Sequence, residues 1–149
     1  MNYICKKYFP MIHIEVNRRN GDFGFEAADE HGHTVQMDTS PETGGQNFGV
    51  RPMQMLLMGL GGCSGIDIVS ILKKQRQQVE SFRILIDGER EPAAEPSLWK
   101  YVNITFELKG KIDPEKAARA CELSIGKYCS VSATLREAGC ELKWGVKVS

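Results

Sequence analysis

One stretch limits what this chain can fold into more than any other. From Pro52 to Leu72 apolar residues follow one another almost without relief, interrupted by Gln54, Ser64, Asp67, Ser70 and four glycines. Pro52 suits the first turn of a helix, and Lys73, Lys74 and Arg76 place cations at its end, so the pattern predicts one long helix. The run is too polar and too rich in glycine to read as a membrane span, which makes it the central, mostly buried helix of a folded core.

A chain of 149 residues has room for one compact domain, and 42% hydrophobic with 26% charged residues excludes disorder and fibrous repeats. Nineteen basic and nineteen acidic side chains balance, so there is no field to draw nucleic acid or an anionic membrane, and neither is expected as a partner. Upstream of the helix, Ile12 to Asp38 alternates in short runs with turns at Asn20-Gly21 and between Asp29 and Gly32, which predicts two consecutive hairpins followed by a loop from Thr39 to Gly49. Downstream, Val79 to Ile86 and Tyr101 to Leu108 read as two strands joined by a charged hairpin from about Asp87 to Trp99. Asp113-Pro114-Glu115 predicts a helix start, with the helix running to about Ile125 and broken by Gly126. A short helix from Ser130 to Ala138 and a last alternating strand from Cys140 to Val148 complete an α+β class in which regular βαβ repetition is absent.

The five cysteines, Cys5, Cys63, Cys121, Cys129 and Cys140, are an odd number, so complete pairing within one chain is impossible. Met1 to Pro10 carries two lysines but too short an apolar stretch for a signal peptide, and no small-residue cleavage site follows. The expectation is a cytoplasmic protein with reduced thiols, in which residues 1–10 are an extension carrying Cys5 and residues 11–149 form the domain. Cys121 falls on a helical face and Cys140 on an alternating strand face; both read as core residues. Cys121, Cys129 and Cys140 lack zinc-site spacing, His31-Gly32-His33 has no third ligand nearby, and His13 reads as structural, so no metal and no cofactor are expected.

Cys63 sits among Gly59, Gly61, Gly62 and Gly65. In a helix interior each glycine costs about 0.8 to 1 kcal/mol relative to alanine, so the segment needs a compensating close approach of backbone or ligand. Tight packing around an inert buried cysteine is one account. A phosphate loop is another, with Met53 to Met58 as a strand, Gly59-x-Gly61-x-x-Ser64 as the loop and Asp87 as a ribose-binding acid, although the third glycine of that fingerprint is missing. Cys129 lies just before or within the first turn of the short helix, where unpaired N–H groups and Lys127 would favour a thiolate; simple helix capping is the alternative.

A Pro followed eleven residues later by a Cys in a small-residue helix (Pro52, Cys63), then a Cys-x-x-Ser at a helix start (Cys129, Ser132), resembles the OsmC/Ohr family of thiol peroxidases. The order of elements agrees over Ile12 to Ser149. The resemblance implies an intertwined homodimer with the long helices central and two sites at the subunit interface. It makes Cys63 the peroxidatic thiolate and Cys129 the resolving thiol, with organic hydroperoxides or hydrogen peroxide as substrate and an external dithiol as reductant. The capping argument favours Cys129 for first attack, whereas the resemblance assigns it to Cys63. Family peroxidases carry a Glu after the helix-starting Pro, orienting an Arg onto the thiolate; here Met53 stands in that place. The Arg would be Arg19, with Arg18 and Arg51 as alternatives. Loss of the carboxylate also admits a second expectation, a catalytically weak homodimeric binding protein for a small hydrophobic ligand.

Overall fold

The structure is a computed structural model that describes residues 10–149. The expectations for the N-terminal extension and Cys5 therefore lie outside the described residues. The chain divides into two compact units, with the boundary between Gln54 and Met55.

In the first unit, β1 (Ile14–Asn20), β2 (Gly24–Asp29) and β3 (Thr34–Met37) form an antiparallel sheet in that order, the two hairpins the sequence predicts. The second turn is closed by Asp29, whose carboxylate accepts the N–H groups of His31 and His33, both at 2.9 Å, and lies 2.8 Å from His33 Nδ1. These histidines thus serve a turn. The strand register places Ile14, Val16, Phe25, Ala27, Val35 and Met37 on one face. After the sheet, the buried Asp38 organises the loop: one carboxylate oxygen accepts Thr39 N–H at 2.7 Å, the other accepts Gln46 N–H at 2.8 Å and Phe48 N–H at 3.0 Å. Hydrogen bonding to Phe48 above all holds this carboxyl below its ordinary range. Gly49 passes so close to Gln36 that an added Cβ would lie 2.1 Å from its backbone, which leaves no alternative residue there.

The long helix, α1 (Pro52–Lys74), begins as the sequence predicts, with Pro52 at its first position and Gln54 Oε1 accepting the Arg51 N–H at 3.1 Å. Two residues past its end, Arg76 turns the chain in the left-handed region at φ 58°. The strand alternative for Met53 to Met58, and with it the phosphate loop, is overturned because the whole segment is helical.

In the second unit, β4 (Gln78–Arg90) and β5 (Trp99–Lys111) pair antiparallel and run longer than their alternation suggests. Asp87, Gly88 and Glu89, expected in the hairpin tip, instead pair with Asn103, Val102 and Tyr101, because polar side chains do not interrupt a backbone ladder. Asp113 caps α2 (Pro114–Leu123) by accepting the N–H groups of Glu115 and Lys116 at 2.8 and 3.2 Å. The chain widens into a π turn over Ser124–Tyr128, enters α3 (Ser130–Glu137), and returns as β6 (Glu141–Val148) parallel to β5. Leu60, Ile68 and Leu72 of α1 join Val102, Ile104, Phe106 and Leu108 of β5 and Ala117, Ala120 and Cys121 of α2 in one core. Cys121 and Cys140 are buried, as expected of core thiols.

Two expectations for α1 need correction. Only the stripe Leu60, Ser64, Ile68 and Leu72 is buried, while Ile66 is 74% exposed and Met58 54%. A single chain supplies partners for one face of a helix that is apolar nearly all round. By length and composition alone the helix also passes as a bilayer span, with a window of mean hydropathy 1.8, so its glycines do not exclude that by themselves. The structure shows its buried stripe packed into a protein core.

Candidate functional site

The four glycines separate into two pairs. Gly61 and Gly65, one turn apart, face β4: an added Cβ would lie 3.1 Å from Ile86 Cδ1 at the first and 2.9 Å from Ile84 Cδ1 at the second. These two bring helix and sheet together. Gly59 has only Val131 at 4.0 Å, and Gly62 opens on free space. Helix packing thus accounts for half of the glycine content and leaves room beside Gly62.

Cys63 is half-buried on α1, packed against the core. Cys129 is buried at the N-cap of α3, where its Sγ accepts the Ser132 N–H at 3.4 Å. Asp67 stands one helical turn beyond Cys63, on the same face. The sulfurs of Cys63 and Cys129 and a carboxylate oxygen of Asp67 all lie within 4.8 Å of one another. Among the described residues this is the one cluster whose donor atoms could share a metal ion.

Local structure holds this convergence. Ser124 Oγ donates to Asp67 Oδ2 at 3.1 Å and contacts Ser64 O at 3.3 Å, tying the π turn to α1. Ser132 Oγ donates to Ile125 O at 2.8 Å, and Cys129 N–H to Ser124 O at 2.8 Å. These bonds explain why Gly126 widens the helix instead of ending it outright. Single π turns inside helices are rare and recur at functional sites.

Burial pushes the Cys129 thiol up to about 11, helped by the neighbouring Cys63 and only partly opposed by the Ser132 N–H. A helix start was expected to favour a Cys129 thiolate, but desolvation outweighs one N–H···S bond and favours the thiol. Lys127, expected to add positive charge there, lies over the Tyr128 ring with Nζ 5.4 Å from its centroid.

The three candidate arginines belong to the first unit. Arg19 Nε is 3.7 Å from Glu26 Oε1, and Arg51 Nη1 donates to Gly49 O at 3.0 Å. Arg18 stands opposite Phe25 in the β1–β2 ladder. Asp67 escaped the sequence reading of the site, although its i, i+4 relation to Cys63 was a signal on the helical wheel.

Fold and cysteine geometry together define a class. A family model for OsmC-like protein matches residues 43–145, and the chain belongs to that family. Among its relatives, Protein YhfA of Escherichia coli K12 is 40% identical over 108 residues, 72% of this chain and 77% of that protein. A hypothetical protein from Aquifex aeolicus VF5 superposes with a TM-score of 0.77 at 28% identity, covering 95% of this chain and 99% of the other. A Legionella pneumophila protein described as an organic hydroperoxide resistance protein shares the fold at a TM-score of 0.72 and 16% identity, covering 95% of this chain and 100% of its own.

Proposed function

We propose that this protein is a thiol-dependent peroxidase acting on organic hydroperoxides or hydrogen peroxide through Cys63 and Cys129. The observation that carries the reading is the approach of two sulfurs 66 positions apart in sequence to within 4.8 Å. Cys63, the more accessible sulfur, attacks the distal peroxide oxygen as its thiolate. The O–O bond breaks, the leaving oxygen departs as alcohol or water after protonation, and Cys63 becomes a sulfenic acid. The Cys129 thiol then condenses with it, forming the S–S bond and releasing water, and an external dithiol returns both thiols. The disulfide so formed closes the sulfurs to about 2.05 Å. Arg19 is the proposed cation beside the thiolate.

The working unit proposed is a homodimer in a reducing cytoplasm. The open apolar faces of α1 and of the β1–β3 sheet support it: Ile66 is 74%, Ile14 53% and Val16 52% exposed.

Titrating reduced protein with one equivalent of cumene hydroperoxide and counting free thiols tests the chemistry. Two thiols per chain should disappear, none in Cys63→Ser, and one in Cys129→Ser, as a trappable sulfenic acid. Unchanged thiols after minutes at micromolar peroxide overturn the reading.

A second reading, a weakly catalytic binder of a small hydrophobic ligand, is favoured by Met53 in the place of the family's Glu. A depression of about 540 Å³ lined by Gly62, Ile66, Val69, Phe82 and Ile84 offers such a ligand an apolar seat.

A further inference from the structure

Asp67 has no task in the redox steps above, yet it is held beside both sulfurs. We propose that Cys63, Asp67 and Cys129 form a binding site for a thiophilic divalent cation of the zinc class, with water as the fourth ligand. Two sulfurs and one carboxylate oxygen suit zinc and its softer neighbours, whereas calcium and magnesium take oxygen ligands only. Around a tetrahedral zinc, metal–ligand distances of about 2.0 to 2.3 Å set ligand atoms roughly 3.5 to 3.8 Å apart. The three donors already lie within 4.8 Å of one another, about 1 Å from that spacing.

The surrounding hydrogen bonds are those a metal site uses. Ser124 Oγ donates to Asp67 Oδ2, which leaves Oδ1 for the cation, and the Ser132 N–H donates to Cys129 Sγ. Cys63 and Asp67 come from adjacent turns of α1 and Cys129 from the start of α3, so the cation would join two elements of the core. Binding exchanges two thiol protons for one divalent ion: both S–H bonds ionise, two metal–sulfur bonds form, and two protons pass to solvent. The cation engages both sulfurs, so it and a Cys63–Cys129 disulfide exclude each other. Metal binding needs no peroxidase activity and goes beyond that reading.

The test uses reduced, metal-stripped full-length protein titrated anaerobically with Co²⁺. The expected result is one ion per chain, a thiolate-to-cobalt band in the near ultraviolet, about two protons released per ion, and displacement by Zn²⁺. Cys63→Ser and Cys129→Ser should each lose half or more of the band, and Asp67→Asn should weaken binding by roughly tenfold or more. Cys5→Ser and Cys140→Ser should titrate like the parent, with circular dichroism confirming that every variant folds. On the parent protein, Zn²⁺ should also shield Cys63 and Cys129 from alkylation, read by peptide mass spectrometry. Absence of the band, an undiminished band in Cys63→Ser, unshielded cysteines, or unchanged affinity in Asp67→Asn overturns the site. Peroxide-driven thiol loss, measured on metal-free protein, reads the redox proposal separately.

Discussion

The two units of this chain are held together by different means. Every buried apolar side chain among the described residues lies between Leu60 and Cys140, in the second unit, where α1, α2 and α3 join β5 in one core. Among the described residues of the first unit the buried positions are Gly24 and Asp38. Backbone ladders and one carboxylate keep that sheet in shape, while its apolar face stays open. The contrast teaches that the second unit has a core of its own and that the first has a surface prepared for something else to cover.

The largest expected effect probes the self-sufficient unit. Phe106, fully buried with its ring centroid 6.1 Å from that of Phe82, should cost about 3–5 kcal/mol when changed to alanine, measured by urea unfolding. A loss below about 1 kcal/mol would mean that the core is not what stabilises this region.

Next comes an alkaline limit on the same core. Burial pushes the Cys121 thiol from an ordinary 9.0 up to about 12. The unfolded chain releases this proton first, so it binds fewer protons than the folded chain between those values, and stability falls as pH rises. Cys121 should contribute up to about 1.4 kcal/mol per pH unit to that slope, and Cys121→Ala should remove its share while the raised Cys129 thiol keeps the remainder.

The first unit should fail at the opposite end of the scale. Asp38 is held below its ordinary 3.8 by backbone N–H groups, Phe48 foremost. Its contribution is present above about that pH and is lost as pH falls through the lower folded value. Asp38→Asn should remove that acid dependence and speed amide exchange at Gln46 and Phe48 at neutral pH, and unchanged exchange would show that the loop holds without the carboxylate. The smallest effect on the chain itself is expected from Ile66→Asp, within about 0.5 kcal/mol, because the side chain is 74% exposed. Sedimentation should nonetheless show the proposed dimer shifting to monomer; a dimer that persists would place the partner on another face.

Much of this architecture is legible in the sequence because local chemistry decided it. Pro52, Asp113-Pro114 and the turn at Gly32 mark element boundaries that the structure reproduces, and the two cysteine motifs pointed to sulfurs that do converge. Three features depended on distant residues. The parallel pairing of β6 with β5 arises from the crossover through α2 and α3, which alternation along one strand cannot reveal. The high Cys129 pKa comes from desolvation by neighbours far along the chain, whereas the sequence shows only its helix-start position. Asp67 reads as one polar break in an apolar run until Ser124, 57 residues on, is seen to hold it.

The π turn at Ser124–Tyr128 has a consequence for how this segment can vary. Its main-chain bond from Cys129 N–H to Ser124 O spans five residues, one more than an α-turn. Removing any one of the five would let ordinary winding resume, and because a wide turn absorbs its extra residue locally, the elements on either side need not rotate against each other. The change would fall inside the turn, on the Ser124 and Ile125 groups that hold Asp67 and Ser132, even with Cys63, Asp67 and Cys129 all intact. Within this stretch Ser124 is the position whose substitution reaches the site directly, and the wide turn is as much a part of the site as the side chains it positions.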